Sequence, residues 1–264
     1  MSQPVDIYVL GAGINIPAHF TFETLNILKS CNILYTVIRK EKEAWLPKSI
    51  DIEVCSYWNM YKSGKLRGEN YQKAIDLVLN AVEKHAPVAY LTPGNPVVYD
   101  SVSHGIIREG KARGYNVQVC AGISSIDTLL VDLRQDITSG IQIYDSSAVI
   151  THEIKLVPSV ASILFQVDVF GSHYALHGKQ VGNDFLAPLK DYLLQFYPKH
   201  HPVTFVRSQE SFDTRTQIST FLIEDLGNID NQAQIGTSLF IPATEELELK
   251  NKSFLKQMMT APTT

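Results

Sequence analysis

The stretch from Val88 to Ser125, VAYLTPGNPVVYDSVSHGIIREGKARGYNVQVCAGISS, limits the possible folds more than any other part of the chain. An apolar run stops at Thr92-Pro93-Gly94-Asn95-Pro96, where two prolines and a glycine end the strand and open a loop. An amphipathic segment then runs through Ile107 and Ala112, Arg113-Gly114 breaks it, and a second β-rich run ends at Ala121-Gly122. Strand, loop, helix, strand is the unit from which parallel sheets are built. Loops at the carboxyl ends of parallel strands form the ligand crevice, so this unit presents two of them side by side. The second offers Gly122, Ile123, Ser124 and Ser125.

The chain opens in the same style. Asp6 to Leu10 is a β-rich run ending at Gly11-Ala12-Gly13, and Thr21 to Ser30 has helical periodicity with Phe22, Leu25 and Leu28 on one face. Asn32 to Ile38 reads as the next strand. The GAG triplet lacks the third glycine of a dinucleotide fingerprint, so Gly11 either makes a tight turn or meets a ligand. Tyr71 to Lys84 predicts a helix whose apolar face is Ile75, Val78, Leu79 and Val82. Before it, a polar, glycine-broken segment carries Tyr57, Trp58, Tyr61 and Tyr71 around Arg67. Arg67 and Tyr71 are four apart and share a face if the helix starts early. The segment is either a packed Tyr/Arg cluster under a long loop or part of a site.

Ile126 to Leu133 predicts a short helix, Gln142 to Ile150 a strand, and the loop around Pro158 a division. Ala161 to Val167 is an apolar strand holding Gln166; Leu186 to Tyr197 is helical and stops at Pro198. Further strands are expected at Pro202 to Arg207, Phe212 to Leu222 and Gln234 to Ile241. The expected organisation is an N-terminal parallel-sheet α/β domain over 1–157, a C-terminal α+β domain over 158–245, and a frayed tail over 246–264. A length of 264 residues suits two cores.

Composition excludes several functions. A net charge of -4 gives no electrostatic footprint for nucleic acid. Three scattered cysteines, Cys31, Cys55 and Cys120, fit neither a disulfide framework nor a zinc site and suggest a reducing compartment. With no signal-like N-terminus and no run approaching the roughly 20 apolar residues of a span, the expectation is a cytoplasmic protein with no membrane partner. P-loop, HExxH and GxSxG patterns do not occur. What remains is a crevice without an evident nucleophile or metal, an inventory suited to group transfer by positioning.

The order Gly11-Ala12-Gly13, Gly94-Asn95-Pro96 and Ala121-Gly122-Ile123-Ser124-Ser125 resembles the tetrapyrrole methylase superfamily of S-adenosylmethionine-dependent methyltransferases over nearly the whole chain. The finer pattern is similar to the borosin peptide backbone α-N-methyltransferases. It comprises Val102-Ser103-His104, Asp132-Leu133, Gly140-Ile141-Gln142, Phe165-Gln166, Tyr197-Pro198 with His201, and Thr237-Ser238-Leu239 before Ile241-Pro242; the Tyr61, Arg67, Tyr71 spacing matches that group's catalytic loop and helix. The chain departs from the superfamily at Ile14-Asn15-Ile16, where Pro-Gly-Asp is usual, and at Asn95, where aspartate is usual. Pro93 stands where borosin enzymes tend to have tyrosine, and Ala121 replaces a common proline.

The resemblance implies a two-domain methyltransferase with S-adenosylmethionine in the cleft, S-adenosylhomocysteine as product and no metal. Its cofactor residues would be Gly11, Pro93, Gly94, Asn95, Pro96, Val98, Tyr99, Ser124, Ser125, Gln166, Thr237 and Ser238. Tyr71 would be the base or proton relay, Tyr61 a hydrogen-bond partner of the amide, Arg67 the stabiliser of developing negative charge, and Tyr57 or Trp58 a positioner of the peptide. Only about 20 residues follow Pro242, so the expected substrate is a separate precursor peptide acting in trans, and the expected assembly a homodimer. Competing readings are methylation of a tetrapyrrole or other small metabolite, a non-catalytic cofactor-binding scaffold, and, on the GAG triplet alone, a nicotinamide oxidoreductase.

Overall fold

The computed structural model describes residues 4–38, 46–61, 64–176, 184–229, 232–245 and 250–259. Two five-stranded sheets organise it. The first contains β1 (Ile7–Gly11), β2 (Ile33–Thr36), β3 (Glu53–Ser56), β4 (Val88–Thr92) and β5 (Val117–Cys120) in the order β3-β2-β4-β1-β5, every pairing parallel. All five residues of β4 are buried, as expected of a central strand covered on both faces. One face carries α2 (Arg67–His85) and α3 (Ser101–Ala112), packed closely where Gly105 faces Ile75 and Gly110 faces Leu79 and Val117. The predicted apolar face of α2, Ile75, Val78, Leu79 and Val82, is buried there. The other face is covered through α1 (Phe22–Leu28), whose Leu28 joins Leu10, Leu34, Leu91, Cys31 and Cys120.

The second sheet contains β6 (Ile141–Asp145), β7 (Ala161–Phe165), β8 (Pro202–Arg207), β9 (Gln217–Leu222) and β10 (Ser238–Ile241) in the order β6-β7-β10-β8-β9. Only β6 and β7 are parallel; the remaining pairs are antiparallel. Its core gathers Val149, Leu164, Leu189, Phe205, Leu226 and Leu239 under α5 (Ser146–Thr151) and α6 (Ala187–Leu193). Among the described residues no helix is long and apolar enough to cross a membrane.

Several expectations change. The chain leaves the first sheet well before Pro158: Leu129 of α4 (Ser125–Leu133) packs with Ile163, Phe165 and Phe240, and β6 pairs with β7, so residues expected in the N-terminal unit belong to the second sheet. The strand expected over Gln142 to Ile150 ends at Asp145, whose carboxylate caps α5. The strands expected from Phe212 and Gln234 begin later, because Ser211–Thr214 and the Gly236 left-handed turn (φ 84°) occupy their starts. β3 was not anticipated. In the tail, expected to be frayed, Lys252–Met258 forms α7; residues 246–249 and 260–264 lie outside the described ones.

The carboxyl edge of the first sheet is held by backbone meeting backbone. A Cβ on Gly11 would lie 2.6 Å from the Gly94 carbonyl oxygen and 2.7 Å from Gly122 Cα. Gly11→Ala is therefore expected to destabilise the protein by about 1–3 kcal/mol through overpacking. Gly68→Ala, in α2 with open space around it, is expected to be neutral or to add up to about 1 kcal/mol. Chemical denaturation midpoints of the two variants check this.

Candidate active site

Between the two sheets lies a cavity of about 610 Å³, lined from the first by Arg67, Glu69, Tyr71, Tyr99, Asp100 and His104 and from the second by Asp145, Gln166 and His173. α2 begins at Arg67, so Arg67 and Tyr71 do share a helix face at its mouth. The start is fixed by a short antiparallel pairing between lobes. Gly64 N–H donates to the Ala175 carbonyl at 3.0 Å, Ala175 N–H to Lys65 at 2.9 Å and Arg67 N–H to His173 at 2.8 Å, with Leu66 opposite Tyr174.

The Arg67 side chain completes this clasp. Its Nη1 donates to Gln166 Oε1 at 2.6 Å and its Nη2 to the Ser172 carbonyl at 2.7 Å. Both acceptors are neutral, and among the described residues no carboxylate pairs with Arg67. The guanidinium is thus oriented without its charge being cancelled by direct contact.

Beneath Tyr71 the aromatic residues form a tier. Ring centroids are 6.0 Å apart for Tyr71 and Tyr61, 5.8 Å for Tyr61 and Tyr57, and 6.3 Å for Tyr57 and Tyr90. Tyr57 and Tyr90 are 3% and 1% exposed, and their hydroxyls lie 2.9 Å apart. Tyr90 in turn donates to Asp100 Oδ2 at 3.2 Å. Burial raises the pKa of all four phenols, Asp100 raises each further, and neighbouring phenols do so for Tyr57, Tyr61 and Tyr90. Tyr71 alone has a cation working the other way, the charge and hydrogen bonding of Arg67.

These placements sort the residues expected from the sequence. Arg67, Tyr71, Tyr99 and Gln166 come together at the cavity, and Tyr61 stands half-buried behind them. Tyr57 does not reach the cavity: its hydroxyl is taken by Tyr90, so it supports the tier and cannot touch a peptide there. Trp58 is half-buried in the turn before Tyr61. Gly11 packs on Gly94 and Gly122, which gives its missing side chain a purely structural cause. In the Pro93 to Tyr99 loop, Asn95 Oδ1 accepts the Val97 amide at 3.1 Å and the Asn95 carbonyl accepts Val98 N–H at 3.0 Å, while Pro96 is buried. Ser124 spends its hydroxyl on a capping box with Asp127, leaving Ser125 beside it at the start of α4. Thr237 and Ser238 are buried behind the Gly236 turn.

Three further residues, Asp100, Asp145 and Asp168, were not singled out from the sequence, and Asn15 only as a departure from the family pattern. Asp100 caps α3 and holds Tyr90; Asp145 caps α5 from the other lobe. Asn15 Oδ1, in the loop after β1, is shut off from solvent with no hydrogen bond. Burial pushes the Asp168 carboxyl up to about 6, although the Gly236 amide and the charges of Arg67 and Arg207 oppose this. Tyr99 and Gln166 also share a feature invisible in sequence: both non-glycine residues adopt left-handed backbone, with φ of 56° and 62°, and the Tyr99 ring packs at a tilt against Phe165, centroids 4.6 Å apart. Such conformations concentrate at ligand sites.

Comparison with known proteins agrees with this geometry. The chain is 25% identical over 267 residues to a methyltransferase/ribosomally synthesized type II borosin cyclic peptide precursor of Phlebiopsis gigantea, covering 97% of this chain and 46% of that protein. It is 27% identical over 173 residues to a type I counterpart from Mycena rosella, covering 65% and 44%. It therefore spans less than half the length of these curated relatives. Among solved structures, the uroporphyrin-III-C-methyltransferase of Thermus thermophilus has a TM-score of 0.61 at 17% identity, covering 90% of this chain and 91% of that one, and the methyltransferase CobJ 0.61 at 11%, covering 93% and 98%. At such identities the likeness is one of fold. The family model for Tetrapyrrole (Corrin/Porphyrin) Methylases matches residues 6–208, and the chain belongs to that family.

Proposed function

We propose that the protein is an S-adenosylmethionine-dependent methyltransferase whose acceptor is a backbone amide of a peptide. Membership of the methylase family supports the methyl transfer. The carrying observation for the acceptor is the Arg67–Tyr71 pair in the inter-lobe cavity, with the guanidinium held by neutral groups. An amide nitrogen is a very weak nucleophile because its lone pair is delocalised into the carbonyl. Its methylation needs negative charge stabilised at the carbonyl oxygen and a path for the N–H proton. Arg67 supplies the first by electrostatics. Tyr71, neutral but next to that cation, supplies the second as a relay, with Tyr61 hydrogen-bonding the amide.

The charges lining the cavity also bear on the choice of acceptor. Glu69, Asp100 and Asp145 face one guanidinium, an environment that repels a ligand carrying several carboxylates, as a tetrapyrrole does, and accepts a neutral peptide. S-adenosylmethionine, when bound, supplies a methyl group activated on a sulfonium. The crevice suits it: the loop after β1 offers Asn15 Oδ1, an acceptor without a donor, which an amino or ammonium group satisfies. The backbone of the Pro93 to Tyr99 loop, Ser125, Gln166, Thr237 and Ser238 would complete its binding. We extend the proposal to a peptide presented in trans and to a homodimer. Its N-methyl products would be a family of peptides differing by methylene masses.

Co-expression with a candidate precursor peptide, followed by mass spectrometry of its backbone, is the test. Mass added in methylene steps is expected with the wild type, reduced about 10²–10⁴-fold in Tyr71→Phe and Arg67→Ala, while calorimetric binding of S-adenosylmethionine persists. Peptide unchanged in every case, with a small-molecule acceptor methylated instead, would refute the reading.

The phenol tier predicts a pH response. A phenol whose ionisation is raised on folding keeps its contribution below its ordinary value of 10.0 and loses it as pH climbs toward the folded value. Stability should hold through neutrality and fall steeply above about pH 10. Tyr57→Phe should cost about 1 kcal/mol at neutral pH, by removing the Tyr90 hydrogen bond, and flatten that alkaline fall. Denaturation midpoints measured against pH decide the matter.

A further inference from the structure

A methylated amide has lost a proton, and the phenols around the cavity can pass one on but cannot keep it. Tyr61 and Tyr71 are held above their ordinary value by burial, and Tyr99 is pushed up to about 12 by burial and by Asp145. The lining groups able to end the relay are Glu69, Asp100, Asp145, His104 and His173. Glu69, His104 and His173 are exposed, and His104 Nε2 lies 3.3 Å from the Val97 carbonyl. Asp100 is half-buried but saturated. Its Oδ1 accepts the Val102 and Ser103 amides at 2.9 and 3.2 Å, and its Oδ2 the Ser103 and Tyr90 hydroxyls at 2.7 and 3.2 Å.

Asp145 differs. Its Oδ1 accepts the Ser147 and Ala148 amides at 2.9 and 3.0 Å, which locks the side chain in place, and these two bonds leave Oδ2 uncommitted. It is half-buried at the carboxyl end of β6, in register with Phe165, and so one residue from the Gln166 that grips Arg67.

We propose that Asp145 is the carboxylate that receives the amide proton, on Oδ2. The proposal rests on the peptide-methylation reading. As the nitrogen–carbon bond forms, the carbon–sulfur bond breaks and its electron pair leaves with sulfur. The N–H bond breaks, Tyr71 accepts that proton while releasing its own to water in the cavity, and that water passes a proton on so that an O–H bond forms on Asp145, the carboxylate whose charge acts on Tyr99; the neutral acid then returns its proton to water at the cavity mouth. With Arg67 holding the negative charge that develops on the carbonyl oxygen as the proton leaves, a carboxylate suffices to end the relay where it could not ionise a resting amide. Arg67 and Tyr99 face Asp145 from the first lobe, with the carboxylates of Asp100 and Glu69 and the imidazoles of His104 and His173 around the same space.

Asparagine caps a helix about as well as aspartate, so Asp145→Asn keeps α5 and removes the base. Methylation of a separate precursor peptide is followed across pH for wild type and variant, alongside the thermal midpoint and calorimetric affinity for S-adenosylmethionine. The expected result is a kcat lower by about 10²–10⁴-fold, with KM, cofactor affinity and midpoint unchanged, and with the wild type's acid-side rise in rate abolished. Asp145→Ser, a second cap without a basic oxygen, must fail in the same way. An Asn or Ser variant with kcat within about tenfold of wild type, or with an unaltered pH profile, overturns the assignment while leaving peptide methylation standing. A wild type that methylates no peptide removes both.

Discussion

Everything at the ligand edge of the first sheet depends on three glycines whose backbones touch. Gly11, Gly94 and Gly122 end or follow β1, β4 and β5, and no side chain fits among them. Their contact is reinforced by the Gly94 amide donating to the Gly13 carbonyl at 2.8 Å and the Gly13 amide to Gly94 at 3.2 Å. With the three loops locked together, β4 delivers Tyr90 and then Tyr99 and Asp100 at fixed positions. Tyr90 anchors Tyr57, and Tyr57 carries Tyr61 and Tyr71. A backbone contact thus sets the height of phenols several residues away.

The second lobe contributes the other half of the geometry. Arg67 owes its backbone position to His173 and its side-chain position to Gln166 and Ser172, so the cationic group exists in its working orientation only when the lobes are joined. Tyr99 packed on Phe165 holds the same junction at another point, while Asp132, accepting hydroxyls from Ser208 at 2.6 Å and Thr216 at 3.0 Å, ties α4 to the second sheet. An arrangement spread over two lobes lets a cleft remain open to ligands while its reactive groups stay fixed.

What could be read from the sequence follows from how local each cause is. β4 was legible because four consecutive apolar residues and a threonine between prolines admit little else, and α2 because its periodicity is long. The pairing of Arg67 with Tyr71 was legible from spacing once a helix was granted. By contrast, β3 is a half-exposed edge strand with no marked pattern. α5 hides within a β-like run, since Val149 and Ile150 suit either state and only the Asp145 cap decides. That cap also concealed Asp145, which falls inside the strand expected over Gln142 to Ile150 until β6 and β7 are seen side by side. Ser124 suits a ligand group in sequence, but Ser124-x-x-Asp127 is also a capping-box pattern, and in the structure its hydroxyl goes to Asp127. Tyr57 stayed open between a packed cluster and a site because its partner, Tyr90, lies 33 residues away.

On the proposed reading, the charge distribution at this junction bears on how a backbone amide would react there. An arginine paired with a carboxylate has part of its field cancelled before any ligand arrives, whereas the Arg67 guanidinium is bound by an amide oxygen and a peptide carbonyl and keeps its unit charge. The nearby carboxylates are restrained differently: Asp100 and Asp145 are each tied to the amino end of a helix, where the backbone dipoles offset part of their negative charge. The cavity therefore combines one undiminished cation with anions partly neutralised from behind. A resting amide, uncharged, enters without a large electrostatic penalty. In the proposed reaction, as the oxygen gained negative charge and the nitrogen gave up a proton, each change would meet a group already in place, which favours the transition state over the ground state.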